Sequence, residues 1–347
     1  MEPAPALTGT PPPQRVEFLG GGGEYFRIWI VNVLLTLLTL GIYSAWAKVR
    51  REQWFHRNTR VAGAGFDWDG RPGPILRGRL LALALFAAWQ LGGQVSPIAG
   101  AAGSVIFVVA LPWLVTAALR FRLFHTLHRG LRFGFRGRYS EAARVFLLWP
   151  LAAVGTLGAL VPLAIQRQQR FLYGHGSFGS SAFESSIPAR AMYGIYARGA
   201  GLLLLLGAAG GVLSALAPQA AKEAGSPAPL LLPLLALGLP GLLFIGVWLQ
   251  VRLQNLAWNH LRLGPHGFRS DWSTPSFLAL QITNLLGLVL TLGLFRPWAA
   301  VRAARYRAAH TILVPGGSLD EFTADASRGE TAAADEIAEL FGFDVGF

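Results

Sequence analysis

Hydrophobic positions in this chain fall in long blocks instead of a stripe along one face. Residues 80–119, 199–221 and 224–251 each run without a single Asp, Glu, Lys or Arg. An amphipathic surface helix would turn a polar face outward every 3.6 residues, whereas an uninterrupted apolar run of about 18 or more predicts a bilayer-spanning helix. Seven apolar segments can be drawn, at about 28–46, 78–95, 98–119, 145–163, 200–218, 229–250 and 277–295. Between them the polar positions gather in basic, glycine-containing loops.

One stretch of this pattern is written more than once. "TLGIYSAW" occupies residues 39–46 and "TLGLFRPW" residues 291–298. Asn32 matches Asn284, Gly41 matches Gly293, Trp46 matches Trp298, and Val49 and Arg50 fall on Val301 and Arg302. A weaker middle copy, "TLGALVPLAIQRQQRF", begins at Thr156. It carries Gly158, places Pro162 on Pro297 and aligns Arg167 with Arg50 and Arg302. It departs at Trp149, where the others have Asn, and at Leu163, where they have Trp. Glycine after an apolar segment permits a helix end or bend, and the proline is pre-set for the first turn of the next helix. Trp and Arg in that second helix suit a membrane–water interface. The phrase is therefore expected to mark where a helix leaves the bilayer and bends along its surface.

The run "EYFRIWIVNVLLTLLTLGIYSAWAKVRREQWFHRNTRVAGAGFDWDG", with its echo "ITNLLGLVLTLGLFRPWAAVRAARY", resembles the YjgN-type family of bacterial multi-pass inner-membrane proteins over roughly residues 16–320. This is a domain-of-unknown-function family. The resemblance implies a bacterial inner-membrane location and brings no activity, cofactor or catalytic residue with it.

Composition agrees with the membrane reading. The chain is 53% hydrophobic and 14% charged, against about 25% charged in soluble domains. Its net charge of +12 flanks apolar blocks instead of filling one soluble face, so it predicts topology and not nucleic-acid binding. Cysteine is absent, which excludes disulfide and thiol chemistry. If all seven segments cross, the basic loops 164–199 and 251–276 become periplasmic, against the positive-inside bias. If instead 78–119 and 200–250 are helical hairpins and the three repeat segments are re-entrant, only Lys222 of the 30 Lys and Arg faces the periplasm. The second drawing is favoured, with basic loops and C-terminal tail cytoplasmic.

A second pattern follows the apolar segments. "NTRVAGAGFDWDG" (58–70), "HTLHRGLRFGFRG" (125–137) and "NHLRLGPHGFRSDW" (259–272) put aromatics and turn residues around a glycine, with fainter versions at 175–183 and 310–317. They predict short β-hairpins, which need partners to be stable. Six of the seven histidines fall in these basic segments, and His56 lies two residues before the first. Because Asn alternates with His there, a hydrogen-bonding slot in a turn is expected, and no metal or other cofactor.

The expected fold class is thus an all-α polytopic membrane protein with internal repeats, made of helical hairpins plus broken or re-entrant helices and carrying short cytoplasmic β-hairpins. It divides into a disordered lead-in (1–15), one membrane domain (16–318) and an acidic tail (319–347). The domain holds three repeat units (about 16–75, 120–190 and 251–318) linked by the hairpins 78–119 and 200–250. In the tail, Ile337, Leu340 and Phe341 share one helical stripe that would dock on the basic face. Asn32 and Asn284 are the intramembrane polar candidates, costly unless paired. The interfacial candidates are Gly41, Trp46, Arg50, Gly158, Pro162, Arg167, Gly293, Pro297, Trp298 and Arg302. No nucleophile–base set points to an enzyme. The function expected is a scaffold that binds anionic lipid head groups or a protein partner through basic interfacial helices. The alternative is a transporter or channel for a small or amphiphilic solute, which internal repeats favour. Self-association is left open.

Overall fold

A computed structural model describes residues 11–224, 228–320 and 322–323. The tail stripe at Ile337, Leu340 and Phe341, and most of the lead-in, lie outside the described residues. Within them the chain is built from five units, each a pair of helices bracketed by short strands. Strands β1 (Gln14–Arg15) and β2 (Glu17–Phe18) lead into α1 (Gly22–Leu38) and α2 (Ser44–Arg57). The hairpin β3 (Thr59–Val61) and β4 (Ala64–Trp68) precedes α3 (Pro72–Val95) and α4 (Pro97–Phe124). Next come β5 (Thr126–His128), β6 (Leu131–Phe135), α5 (Tyr139–Ala143), a π-helical turn over Arg144–Leu148, α6 (Trp149–Gly155) and α7 (Val161–Gly174). The fourth unit has β7 (Gly176–Phe178), β8 (Ser181–Ser185), α8 (Ala189–Ala224) and α9 (Ala228–Asn259). The fifth has β9 (Leu261–Leu263), β10 (His266–Ser270), α10 (Thr274–Leu290), α11 (Arg296–Ala309) and the last strand, β11 (Thr311–Val314).

All these strands join one sheet of 11, ordered β1-β11-β10-β9-β8-β7-β6-β5-β4-β3-β2, with the paired strands antiparallel. Its two ends are consecutive in the chain. Gln14 and Arg15 pair with Leu313 and Ile312, while Glu17 and Phe18 pair with Arg60 and Thr59. The sheet therefore curls into a nearly closed barrel with residues 14–18 along its seam. This overturns the all-α expectation. Each strand is only two to five residues long, so its period-2 signal is weak, and its stability comes from pairing with the hairpin of the next unit. A local pattern predicts a hairpin but carries no information on that pairing. Inside the barrel Leu131, Phe178 and Leu263 are buried and pack with Phe133, Phe183, Phe268 and Phe322. The lumen is filled with side chains.

Five equivalent hydrogen bonds fasten the helices to this hub. The amides of Leu19, Asp69, Arg136, Ser186 and Asp271, each just past a strand, donate to the carbonyls of Asn58, His125, His175, His260 and His310 at 2.9, 3.1, 2.8, 3.0 and 3.4 Å. Those five acceptors each follow the last turn of α2, α4, α7, α9 or α11. An orphan helix-end carbonyl thus finds its partner at the start of its own helix pair, so each bond closes one unit at its base. The side chains finish the joint. Asn58 Nδ2 donates to Trp54 O at 2.8 Å, and the Nδ1 atoms of His175 and His260 lie 3.1 and 2.9 Å from Phe171 O and Leu256 O, so Asn and His share one slot four residues after a helical carbonyl. At the other two joints the imidazole meets a carboxylate instead, His125–Asp69 and His310–Asp271, both 2.7 Å. Burial pushes the Asp69 carboxyl up, but hydrogen bonds and charge from Arg132 and His125 outweigh it and hold Asp69 below the usual carboxylate range.

Beside each joint sits a small apolar core of the same design. Trp54 packs with Phe18 and Tyr25, Phe121 with Trp68 and Ile75, Phe171 with Phe135, Leu256 with Ile187 and Met192, and Tyr306 with Trp272 and Phe277. The two hairpins expected to be mere links are therefore units in their own right, longer than the other three but attached identically. Each helix packs on its chain neighbour and α11 packs on α1, which closes the helices into a ring around the barrel axis.

Candidate functional site

Both ends of every helix pair lie at the barrel, so each pair goes out and comes back. Four helices are long and apolar enough to cross a membrane: Pro72–Val95, Pro97–Phe124, Ala189–Leu213 and Leu235–Asn259. Between 6% and 17% of each apolar window is buried within the protein, which leaves the rest for a non-aqueous surrounding. The other three pairs are shorter. At 1.5 Å per residue, the 24 residues of α3 span about 36 Å and the 17 of α1 about 25 Å.

The repeated phrase forms the far end of each short pair, and its three copies share one geometry. Leu40, Leu157 and Leu292 have φ of 49, 50 and 51°, and Gly41, Gly158 and Gly293 have φ of 95, 90 and 92°. The glycine amides reach back five residues to Thr36, Ala153 and Leu288 carbonyls at 2.8, 2.8 and 2.7 Å, a Schellman-type helix end. The threonine hydroxyls of Thr39, Thr156 and Thr291 then accept the amides of Tyr43, Leu160 and Phe295 at 2.9, 3.2 and 2.9 Å, which starts the returning helix. Pro162 and Pro297 stand in that first turn. The helix folds back on its partner instead of running along a surface. At each tip the leucine is 96%, 99% and 96% exposed, in a backbone region that disfavours a branched side chain. Each tip therefore presents a bare leucine side chain at the end of its pair far from the barrel.

Farther back, the repeat residues clasp the two helices of a pair by different means. Arg302 Nη1 donates to Asn284 Oδ1 at 2.8 Å and its Nη2 to Thr283 Oγ1 at 2.9 Å, joining α11 to α10. In the middle copy Trp149 replaces the asparagine, and Arg167 lies over its ring at 5.6 Å. The hydrogen bond has become a cation–π contact at the same two positions. In the first copy Arg50 stands over Tyr43 at 5.7 Å, and Asn32 is buried with its Oδ1 unpartnered among the described residues. Asn32 and Asn284 are thus equivalent in sequence and differ in partner. Trp298 stacks on Phe295 and meets Phe26 of α1 at 4.9 Å, sealing the ring, and Trp46 stacks on Tyr43 and is 40% exposed.

Sequence reasoning missed a group of cations near the barrel. Arg122 and Arg307 each stand three residues before the carbonyl that fastens their helix, and Arg51 stands seven before Asn58, so all three share one helical face. Lys48 of α2 lies in the same neighbourhood. The three-residue spacing of Arg122 and Arg307 from His125 and His310 was the available signal. No group of three His, Asp or Glu side chains converges as a metal set among the described residues.

The family model described as "Bacterial protein of unknown function (DUF898)" matches residues 13–340, nearly the whole chain. Two relatives carry the name inner membrane protein YjgN. One, from Salmonella typhimurium strain LT2, is 28% identical over 155 residues, which are 43% of this chain and 39% of the relative. The other, from Escherichia coli K12, is 32% identical over 119 residues, 34% of this chain and 30% of the relative. The matched portion spans well under half the length of these relatives. No solved structure matches. The relatives' names and the four apolar helices support an inner-membrane location. With the match running through all five units, the chain belongs to DUF898, a YjgN-type family of bacterial proteins of unknown function.

Proposed function

We propose that this protein is a non-enzymatic membrane scaffold whose short helix pairs enter one leaflet and hold anionic lipid at its surface. The long pairs cross the bilayer, and the barrel with its basic loops stays on the cytoplasmic side. The observation that carries this reading is the depth of charge along the short pairs. Arg50 and Arg302 each follow the tip glycine by nine residues, about 13 Å of helix. Half of a hydrocarbon core is about 15 Å. With the arginines at head-group level, Leu40 and Leu292 sit near the bilayer midplane. Short pairs therefore need not cross, and every basic loop remains on one side, in keeping with the positive-inside bias. The filled lumen of the barrel speaks against a conduit running through it.

Trp46 and Trp298 provide the test. In vesicles, brominated phosphatidylglycerol should quench tryptophan emission more strongly than brominated phosphatidylcholine at equal mole fraction. Arg50→Gln with Arg302→Gln should remove the difference. Equal quenching by both lipids in the unaltered protein would sink the lipid reading.

A further inference from the structure

The strands of the barrel meet the helices at one end, and the hairpin turns crowd the other. Three of those turns, at 62–63, 129–130 and 264–265, hold Ala62, Arg129 and Gly264 at φ of 49, 52 and 54°. After β11 the chain comes back over this end. Gly316 donates its amide to His266 Nδ1 at 3.2 Å. One helical turn follows, closed by Phe322 N to Ser318 O at 3.2 Å and Thr323 Oγ1 to Leu319 O at 2.6 Å.

Two side chains of that turn reach the barrel. Phe322 joins the cluster of Leu131, Phe178 and Leu263 and meets the His266 ring edge to face, with centroids 4.5 Å apart. Asp320 pairs with Arg129 Nη1 at 2.5 Å, and Nη2 of the same guanidinium donates to Ala62 O at 2.9 Å. The segment thus ties three hairpins together across the mouth of the barrel.

The seat is shaped for a ring and does not depend on the segment that fills it. At Gly264 an added Cβ would come within 3.0 Å of Phe322 Cε2, whereas at Gly63 (φ +75°) it would meet nothing within 4 Å. Glycine at 264 therefore leaves room for the aromatic ring as well as turning the chain. The walls of the seat are strands paired with their neighbours, and the sheet is joined end to end through β1, β2 and β11, all outside 315–323.

The occupant is held lightly. Asp320 is 90% exposed, and so open an ion pair sets register more than it adds affinity. The fit is also incomplete. His266 is 1% exposed and accepts at Nδ1, which leaves its proton on Nε2, and Nε2 has no hydrogen-bond partner among the described residues. A buried donor without an acceptor is a cost that a better occupant removes.

We propose that this mouth is a receptor for a peptide of a protein partner that bears an acidic residue two positions before a phenylalanine, and that Asp320 and Phe322 fill it in cis. Arg129 reads the carboxylate and the slot at Gly264 takes the ring. His266 Nε2 donates to an oxygen that the chain's own segment does not supply. Tethering keeps the internal occupant at high effective concentration, so a partner engages only by fitting better. The receptor stands on the barrel alone and does not need the lipid reading.

The full-length protein in mild detergent tests this by fluorescence polarisation of a labelled peptide, GGSLDEFTAD, copied from residues 316–325. The unaltered protein should bind it weakly because its mouth is filled. Phe322→Ala empties the slot and should bind it about tenfold or more tightly. Asp320→Lys alters only an exposed residue and should shift affinity the same way by about threefold. On the Phe322→Ala background, Gly264→Ala should weaken the peptide about fivefold by crowding its ring, while Gly63→Ala, also at positive φ, should leave it unchanged. Arg129→Gln should weaken it about two- to fivefold, and a peptide with alanine for its phenylalanine should not bind. Thermal melting confirms that each variant is folded. If Phe322→Ala and Asp320→Lys bind the peptide no tighter than the unaltered protein, or if Gly264→Ala and Gly63→Ala weaken it equally, the receptor is overturned. A dimer that Phe322→Ala returns to monomers overturns occupation in cis, since the segment then seats on a second copy. None of these outcomes touches the quenching of Trp46 and Trp298, which judges the lipid reading separately.

Discussion

The two ends of the helix pairs follow different rules. At the barrel all five are built alike, with one backbone bond joining the start of the pair to its end and one aromatic or aliphatic core. Away from it they diverge: three turn sharply at a leucine–glycine joint after about 25 Å, and two continue to bilayer-crossing length. The near ends answer to packing and hydrogen bonding within the protein, where geometry is strict. The far ends answer to lipid, where length and apolarity suffice. A fold that repeats its fastening can vary its reach, and that is how one unit supplies both short pairs and pairs of bilayer-crossing length.

The sharpest way to break this comparison is to damage a near end. Trp68 is 1% exposed in the core of the second joint, and Trp68→Ala should cost about 3–5 kcal/mol of stability, read as a large drop in melting temperature in detergent. A loss no greater than that of a surface substitution would show that the joints do not hold the ring. At a far end, Leu292→Asp should cost about 2.5–3.5 kcal/mol in membrane insertion, read as lost membrane-inserted yield. Were the tip in water, the same change would be harmless.

Smaller effects separate the three short pairs. Asn284→Ala takes the partner of Arg302 and should cost about 1.5–3 kcal/mol, whereas Asn32→Leu removes an unpartnered buried oxygen and should cost nothing. Equal losses would restore their equivalence. The pH response belongs to the barrel. Burial, ahead of the charge of Arg129 and against the bond to Gly65, lowers the His128 imidazole to about 4. Since an unfolded histidine titrates near 6.5, the unfolded chain binds more protons between those values. Stability is then complete above about pH 6.5 and falls by about 1.4 kcal/mol per unit as pH drops toward 4. His128→Phe should flatten part of that slope, with His266 and His56, both also lowered by burial, contributing to the remainder. Least of all, Gly293→Ala should cost about 1 kcal/mol because its φ is +92°, while Gly207→Ala, inside α8 with open space around it, should stabilise slightly. The two glycines thus report which end of a pair is under conformational constraint.

Much of this was legible in the chain. The apolar runs at 80–119 and 224–251 carry the long pairs, and the glycine of "TLG" does mark a helix end. Four of the five glycine-centred patterns announced hairpins one by one, while the fifth, at 310–317, gives the single strand β11. Two things were hidden. Phe133 faces Phe178 across 45 residues, and Gln14 faces Leu313 across the whole chain, and no local periodicity encodes which strand meets which. The 78–119 and 200–250 hairpins also lack the "TLG" phrase, so their kinship with the short units lies in Asp69–His125 and Ser186–His260, contacts between residues dozens of positions apart. The clasp at Asn284 and Arg302 shows the converse. Its 18-residue spacing recurs as Trp149 and Arg167, so the substitution of one member already hinted at the other.

The seam at residues 14–18 has a consequence for assembly in time. Among the described strands, the one that pairs with Gln14 and Arg15, Thr311–Val314, is made last, so the ring stays open on one side until it emerges. Each helix pair can then enter the bilayer sideways, in order, with no finished barrel to thread past. Closure comes as a single late step that joins the oldest strand to the youngest, like a bracelet fastened after its beads are strung.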